Sequence, residues 1–451
     1  MYDPLVHPFP SAQQSDPDSY WLRVNTETPE DDGPIVGDRD VDVAIIGGGF
    51  TGLSAALTLG RDHGIQATVL EARSSAWGCS GRNGGFARVS GGRVPWSTFV
   101  KTYGPDMARD YFGELRQGLD TVRDIIKAGN IDCDKQPDGV YKVAAFKGHA
   151  EALKREKDLY NTILGYPARF IEASGLNGVH GGPESYGALY LPDGFCLNPL
   201  KLAQGIHRMA RAHGARVHNN SPVTEWRTEN NVHYLKTPGG VVRAKRVIVA
   251  TNGYTSSKLH QTLAGRVLPV HSQVIVTNPM TDAQVAATLP TTECMFDTRG
   301  LLFYYRRLPD NRMLFGGRSA ISGSDAAAPR HKQYLYDAMT RKFPVLAGIK
   351  VENWWGGWVA VARNSLPFCY RVPGLGDTFA AGGYAGSGVS FSIYLGTKLA
   401  LMATGRPFDT RASFLTRQPG RYPFSRFIRM GQWMAYRWLN AKDAREARKS
   451  G

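Results

Sequence analysis

Cysteine is scarce in this chain. The five present, Cys79, Cys133, Cys196, Cys294 and Cys369, are scattered, odd in number and include no C-x-x-C pair. That pattern argues against a disulfide framework and against a zinc site, and it fits a reducing, cytoplasmic compartment. Long apolar runs are also missing. The longest uncharged stretch of note, residues 43–60, holds five glycines in eighteen positions and ends at Arg61 and Asp62, which makes a poor membrane span. The N-terminus lacks a basic segment followed by an apolar one, so no secretory signal is expected. Internal repeats, low-complexity tracts and Ser/His/Asp, Cys/His or metal-ligand sets of convincing spacing are absent too. His207 and His213 stand six apart on a helical stretch, do not share a face, and are expected at the surface.

At 451 residues the chain is too long for one simple core, so two closely packed domains of soluble composition are expected. The net charge of +15 is uneven: residues 417–451 carry nine Lys/Arg against two Asp/Glu. The rest is dispersed and accompanies no nucleic-acid-binding motif, so nucleic acid is not an expected partner.

Residues 41–46, Val41, Asp42, Val43, Ala44, Ile45 and Ile46, have the β-branched character of a buried parallel strand. Gly47, Gly49 and Gly52 follow in G-x-G-x-x-G spacing. The first permits a tight turn, the second lets backbone approach a pyrophosphate, and the third lets a helix pack on the strand. The spacing predicts that helix over 51–63, with its N–H groups and positive dipole end facing the pyrophosphate. A second strand, 67–70, delivers Glu71 to its tip, 19 positions after Gly52. A carboxylate there accepts ribose hydroxyls and repels a 2′-phosphate. Strand, glycines, helix, strand and acid in register predict a bound adenine dinucleotide, and NAD and FAD both satisfy this first motif.

Later elements narrow the choice. A helix is expected over 199–213, followed by a strand at 215–217 and a return through Val223, whose edge meets the adenine. A strand at 247–250 ends in the small-residue turn Thr251, Asn252, Gly253, suited to the crevice at strand carboxyl ends. A strand at 378–381 leads into the glycine-rich turn 382–389 and a helix over 390–404, an arrangement that approaches a flat ring and stabilises negative charge on it. This turn and the Gly-rich residues 78–85 favour FAD. The expected organisation is an irregular arm (1–35) that packs Tyr20 and Trp21 on the body, and a discontinuous nucleotide-binding domain (36–95, 197–254, 356–412). A substrate domain (96–196, 255–355) and a basic extension (413–451) complete it. Helices are also expected at 98–128 and 149–163, and strands at 139–146, 232–237, 242–249, 267–276, 301–308 and 311–318.

Several runs together resemble one flavoprotein family. They are Ser19, Tyr20, Trp21; Ser80, Gly81, Arg82, Asn83, Gly84, Gly85; Leu191 to Gly194 leading to Asn198 and Pro199; and Arg306 to Arg318. Trp355, Gly356, Gly357 and residues 383–389 complete the set. Over nearly its whole length the chain resembles the D-amino-acid oxidase/glycine oxidase superfamily, most nearly its γ-glutamylputrescine oxidase branch. The resemblance implies an α/β architecture, a Rossmann-type FAD-binding domain of the glutathione-reductase kind with an interleaved antiparallel-sheet substrate domain. It places Gly47, Gly49, Phe50, Thr51, Gly52, Glu71, Ala72 and Arg73 on the adenosine diphosphate and Val223 by the adenine. Ser80, Gly81, Arg82, Asn83, Gly84, Gly85, Thr251, Asn252 and Gly253 follow the cofactor toward the flavin, and Gly383, Gly386, Ser387, Gly388 and Val389 face the isoalloxazine. Val223 as plain core and Arg82 as a surface charge remain open alternatives. Sarcosine oxidases of this superfamily tether flavin through a cysteine before the late segment; residues 354–366 contain none and Cys369 is out of place, so FAD is expected to be non-covalent. Asn364 stands where many amino-acid oxidases carry Asp.

The implied chemistry is hydride transfer from the α-carbon of a neutral amine to flavin N5, giving an imine, with oxygen then yielding hydrogen peroxide. The substrate is a γ-glutamylated diamine, a polyamine, or a cyclic amino acid such as pipecolate or proline. The alternative is a membrane-peripheral dehydrogenase passing electrons to quinone. Tyr254, His271, Gln273, Phe303, Tyr305, Trp358 and Tyr384 are candidates to face the substrate, or else to pack the core. Arg318 and Arg363 are candidate carboxylate forks, or else structural ion pairs. In the tail, Phe424, Phe427, Ile428, Gly431, Met434, Ala435 and Trp438 recur at helical spacing, which predicts an amphipathic helix over 423–439. Its apolar face must be covered by the body, by a second subunit, or by an anionic membrane surface.

Overall fold

Strand Arg39–Ile46 buries its last four residues, as its apolar run demands. It pairs in parallel with Gly240–Val249 on one side and Ala67–Leu70 on the other, with Ile45 opposite Ile248 and Val69. Thr378–Gly382 and Arg216–His218 extend this parallel core at either side, Phe368–Arg371 closes one edge antiparallel, and the hairpin Glu225–Glu229/Val232–Thr237 joins through Gly240–Val249. The computed structural model describes the chain apart from residues 12, 13, 26, 424–426 and 451.

Helix Phe50–His63 follows the first strand and is buried without interruption from Phe50 to Leu59. It lies between the sheet and helices Pro199–Ala212 and Gly388–Ala403, and such a helix must be apolar all round. Small residues allow the approach: a Cβ on Gly396 would sit 2.5 Å from the Thr51 carbonyl oxygen. The uncharged stretch 43–60 is therefore a central strand and a central helix. Among the described residues no helix is long and apolar enough to cross a membrane.

The second sheet has nine strands, antiparallel except where Cys294–Asp297 runs parallel to Asp138–Val143. Phe86–Arg88 belongs to it by pairing with Ala188–Cys196, and Val351–Ala362 runs through the expected boundary at 355/356 to pair with Val267–Pro279. The single helix expected over 98–128 is two, Trp96–Tyr103 and Pro105–Ala128. Gly104 at φ +85° turns the chain between them and Pro105 starts the second, where its missing N–H costs nothing. Helix Lys147–Thr162 packs against this sheet and against the tail helix.

The N-terminal arm is less irregular than its composition suggests. Ser19 caps the short helix Tyr20–Val24, and the buried Trp21 donates from Nε1 to the Asn83 carbonyl at 2.9 Å. His207 corrects the sequence expectation: it is fully buried on the inner face of Pro199–Ala212, and burial pulls its imidazole down to about 4, so it is neutral. The tail forms helix Ile428–Ser450, starting later and running further than its apolar pattern predicts; Phe424 lies outside the described residues.

Candidate active site

One cavity of about 480 Å³ runs along the carboxyl ends of the parallel strands and on under the second sheet. At its first end the three motif glycines have separate steric reasons. Gly47 has φ +107° and its Cβ would press on the Ala250 carbonyl oxygen at 3.0 Å. A Cβ on Gly49 would meet Ser80 Oγ at 2.8 Å, and one on Gly52 would overlap the Gly47 carbonyl oxygen at 1.9 Å. Gly47, Gly49, Phe50 and Thr51 line the cavity; Gly52 lies behind, as its packing role requires.

Glu71 lines the cavity with Ala72 and Val223. Its Oε2 accepts the Gly48 N–H at 2.7 Å and Oε1 the Arg73 N–H at 3.0 Å, which fixes the carboxylate while leaving lone pairs for ribose hydroxyls. Burial pushes its carboxyl above the usual range, against the lowering by these N–H groups. Arg73 is not on the cavity wall; its guanidinium reaches the arm, donating to the Gln14 carbonyl at 2.7 Å. The arm in turn contributes Pro8, Phe9 and Pro10 to the wall, which no motif signals.

The loop after Glu71 is held by its own side chains. Asn83 Oδ1 accepts the Gly85 N–H at 2.8 Å and its Nδ2 donates to the Ser80 carbonyl at 2.9 Å. Ser80 Oγ accepts the Phe50 N–H at 2.9 Å, and so tethers this loop to the first helix N-terminus. Ser80, Arg82, Asn83 and Gly84 line the cavity, whereas Gly81 and Gly85 serve the turn. Arg82 is buried over the Trp77 ring at 3.9 Å, with Nη1 bonded to the Gly356 carbonyl and Nη2 buried without a hydrogen-bond partner. An unsatisfied guanidinium nitrogen beside a glycine cradle fits a phosphate-bearing cofactor.

The late turn closes the opposite side. Tyr384, Gly386, Ser387, Gly388 and Val389 line the cavity, with Gly383 at φ +76° and Gly386 at φ +102°. Gly383 donates to Asn252 Oδ1 at 3.1 Å, which links this turn to Thr251 and Asn252 on the wall; Gly253 lies under it, its Cβ position 2.5 Å from the Trp358 carbonyl oxygen. Helix Gly388–Ala403 starts here without a side-chain cap, so its first N–H groups are available to a ring carbonyl. Glycine cradles, helix N-termini, the ribose acid and the orphaned Arg82 nitrogen together fit FAD. Cys79 also lines the wall, but burial pushes its thiol up to about 11, so it is no nucleophile at neutral pH.

Past the late turn the wall passes to Ser272, Tyr304, Phe296, Arg88 and Arg318. Of the expected substrate-facing residues, Tyr254, Arg318 and Tyr384 line the cavity. His271, Gln273, Phe303, Tyr305 and Trp358 do not: all are buried away from the cavity, Phe303 just before the strand Tyr304–Arg307 and the others within strands. His271 packs on Trp358 at 4.8 Å, Gln273 donates to the Ala326 carbonyl, and Tyr305 bonds to His180. Arg363 is exposed outside the wall, by Gly420. Neighbours one position away take the cavity places, Ser272 and Tyr304, joined by a hydroxyl–hydroxyl bond of 3.1 Å. Arg318 and Arg88 both line the wall, and Arg318 Nη1 is buried without a hydrogen bond.

The comparisons agree with this geometry. The family model described as FAD dependent oxidoreductase (DAO) matches residues 42–402. The gamma-glutamylputrescine oxidoreductase of Escherichia coli K12 is 32% identical over 387 residues, covering 85% of this chain and 87% of that protein. Glycine oxidase of Geobacillus kaustophilus is 24% identical, covering 84% and 98%. In three dimensions the chain is similar to that glycine oxidase (TM-score 0.71, 21% identity, 85% and 100% covered) and to L-proline dehydrogenase from P. horikoshii (TM-score 0.70, 18% identity, 84% and 97% covered). The chain belongs to the DAO family of FAD-dependent oxidoreductases, enzymes that act on C–N donors.

Proposed function

We propose that this enzyme oxidises an amine at its α-carbon, taking a neutral primary or secondary amine to an imine, with oxygen accepting the electrons as hydrogen peroxide. The observation that carries the reading is the character of the wall around the late turn. Ser272, Tyr304, Arg318, Tyr384 and Ser387 include no carboxylate and no histidine. Burial pushes the Tyr304 and Tyr254 phenols up to about 12 and raises Tyr384 further. These phenols keep their protons near neutral pH, so the wall suits a substrate that supplies its own electron pair. Bound FAD supplies the hydride acceptor. The protein's part is to seal out water, select the uncharged amine and hold its C–H bond in line.

A γ-glutamylated diamine is the favoured substrate, supported by the 32% identical relative and by the charged residues on the cavity wall beyond Phe296. Beyond Phe296 the wall includes Lys142 paired with Glu156 at 2.6 Å, Tyr160 and Asp193, charges of both signs that suit a zwitterionic head distant from the reacting amine. Cyclic amino acids need their carboxylate beside the reacting carbon, where Arg318 is the available fork. A panel of γ-glutamylated diamines, polyamines, pipecolate and proline, followed by peroxide release, tests the proposal. Peroxide from none of them, with FAD bound, overturns it.

A further inference from the structure

The C-terminal helix Ile428–Ser450 is docked by its polar side. Arg429 pairs with Asp3 at 2.8 Å and donates to the Pro269 carbonyl at 2.9 Å, and Gln432 is buried. About three and five turns beyond Gln432, Asp443 accepts the Gly300 N–H at 3.1 Å and Ser450 Oγ accepts the Lys147 N–H at 3.0 Å. Their spacings of 3, 11 and 7 positions are sums of three- and four-residue helical steps, so they share one face. The opposite face is left outward. Phe427, Met430, Trp433, Met434 and Trp438 are 60, 54, 48, 52 and 64% exposed. Five of the thirteen large hydrophobic side chains exposed among the described residues thus fall within twelve positions, and clustering of this kind marks a contact surface.

Charge is sorted in the same way. The helix has two carboxylates, Asp443 and Glu446, and both are only partly exposed on the side toward the body. Arg437, Lys442, Arg445, Arg448 and Lys449 are all exposed. Glu446 reaches one of them, Lys449, at 3.3 Å. Arg437 lies over the Trp433 ring at 4.8 Å and Lys442 over that of Trp438 at 5.9 Å, so the cations border the rings.

From this sorting we infer that the outward face of the C-terminal helix docks on an anionic lipid surface, its rings entering the headgroup boundary and its cations pairing with lipid phosphates and carboxylates. Aromatic and Met side chains bordered by basic residues, with acids excluded, are the composition of a helix that lies in a membrane interface. A second copy of the chain fits less well. A two-fold contact through this face would bring five cations toward an identical set, with no fully exposed carboxylate on the helix to meet them. The helix also holds Gly300 between cavity-wall residues Arg299 and Leu302, so a docked enzyme has its substrate cavity close to the lipid.

The test is flotation of the full-length, FAD-loaded protein with phosphatidylcholine vesicles, with and without phosphatidylserine, at low and high salt. Co-flotation is expected only with the anionic vesicles and weakens at high salt. Trp433→Ser with Trp438→Ser removes rings from the outward face, 48 and 64% exposed, so flavin content and melting temperature should hold while binding is lost. Removing Arg437, Lys442 and Arg445 as glutamines should weaken binding about fivefold per cation. No flotation with anionic vesicles at low salt overturns the inference, as does a double Trp variant that floats like the parent. A concentration-dependent dimer abolished by that variant, without vesicle binding, assigns the face to a second copy and overturns it equally.

Discussion

Tyr384 Oη lies 2.9 Å from Thr51 Oγ1, a buried hydroxyl pair between residues 333 positions apart. It joins the first glycine turn to the last, two elements that both line the cavity. Tyr384→Phe keeps the ring and removes the bond. A loss of about 1 kcal/mol in FAD affinity or stability is expected, measurable by FAD titration of the apoprotein and by melting temperature. An unchanged affinity and melting temperature would show the two turns to be held independently.

Gly52→Ala should be the most damaging single-methyl change at the first motif, because the new Cβ falls on the Gly47 carbonyl oxygen at 1.9 Å. Relief requires the helix to move off the strand, a cost of about 1–3 kcal/mol, with FAD lost from the purified protein. Gly64→Ala is the control: its Cβ has nothing within 4 Å, so only its φ of +63° is strained and FAD should stay.

FAD is expected to leave completely on acid precipitation. Cys79 is the one cysteine on the cavity wall and its thiol is held neutral by burial, while Cys133, Cys196, Cys294 and Cys369 are buried elsewhere. Flavin absorbance that stays with the washed pellet would contradict non-covalent binding.

Stability should fall as pH drops below about 6.5, well before carboxylates protonate. Burial pulls His271 and His180 down to about 3. In the unfolded chain each takes a proton near 6.5 that the folded state refuses, so the stability they confer is present above that value and lost below it, at up to about 1.4 kcal/mol per pH unit for each. His271→Leu removes one such group, whose two nitrogens have no hydrogen-bond partners. Its melting temperature should exceed that of the parent at pH 5.5 by more than at pH 7.5. Equal differences at both values would rule out the buried neutral imidazole.

The parts legible in the sequence are those where one local constraint decides the residue. A Cβ cannot stand at Gly47 or Gly52, and the buried half of the strand Arg39–Ile46, residues 43–46, must be apolar on both faces. Strand Ala67–Leu70 is likewise buried throughout, and Glu71 follows at its tip. The substrate wall was not legible to the residue. Strand Val267–Pro279 is buried on both faces around Ser272, so no alternation of polarity says which side faces the cavity, and His271 and Gln273 fall on the other side from Ser272. The same one-residue ambiguity separates Tyr304 from Tyr305. In the tail, periodicity identified Phe427, Met434 and Trp438 as one apolar face, but the body binds the opposite face through Arg429, Gln432 and Asp443, contacts that depend on Asp3 and Gly300 far off in sequence.

Anaerobic mixing of the FAD-loaded enzyme with amines, followed by flavin absorbance, tests amine oxidation most directly. Amines from the proposed panel should bleach the flavin, γ-glutamylated diamines fastest. The rate should rise with pH as the substrate amine loses its proton, because no side chain at the late turn titrates in that range. Bleaching by 2-hydroxy acids and not by amines would contradict the account.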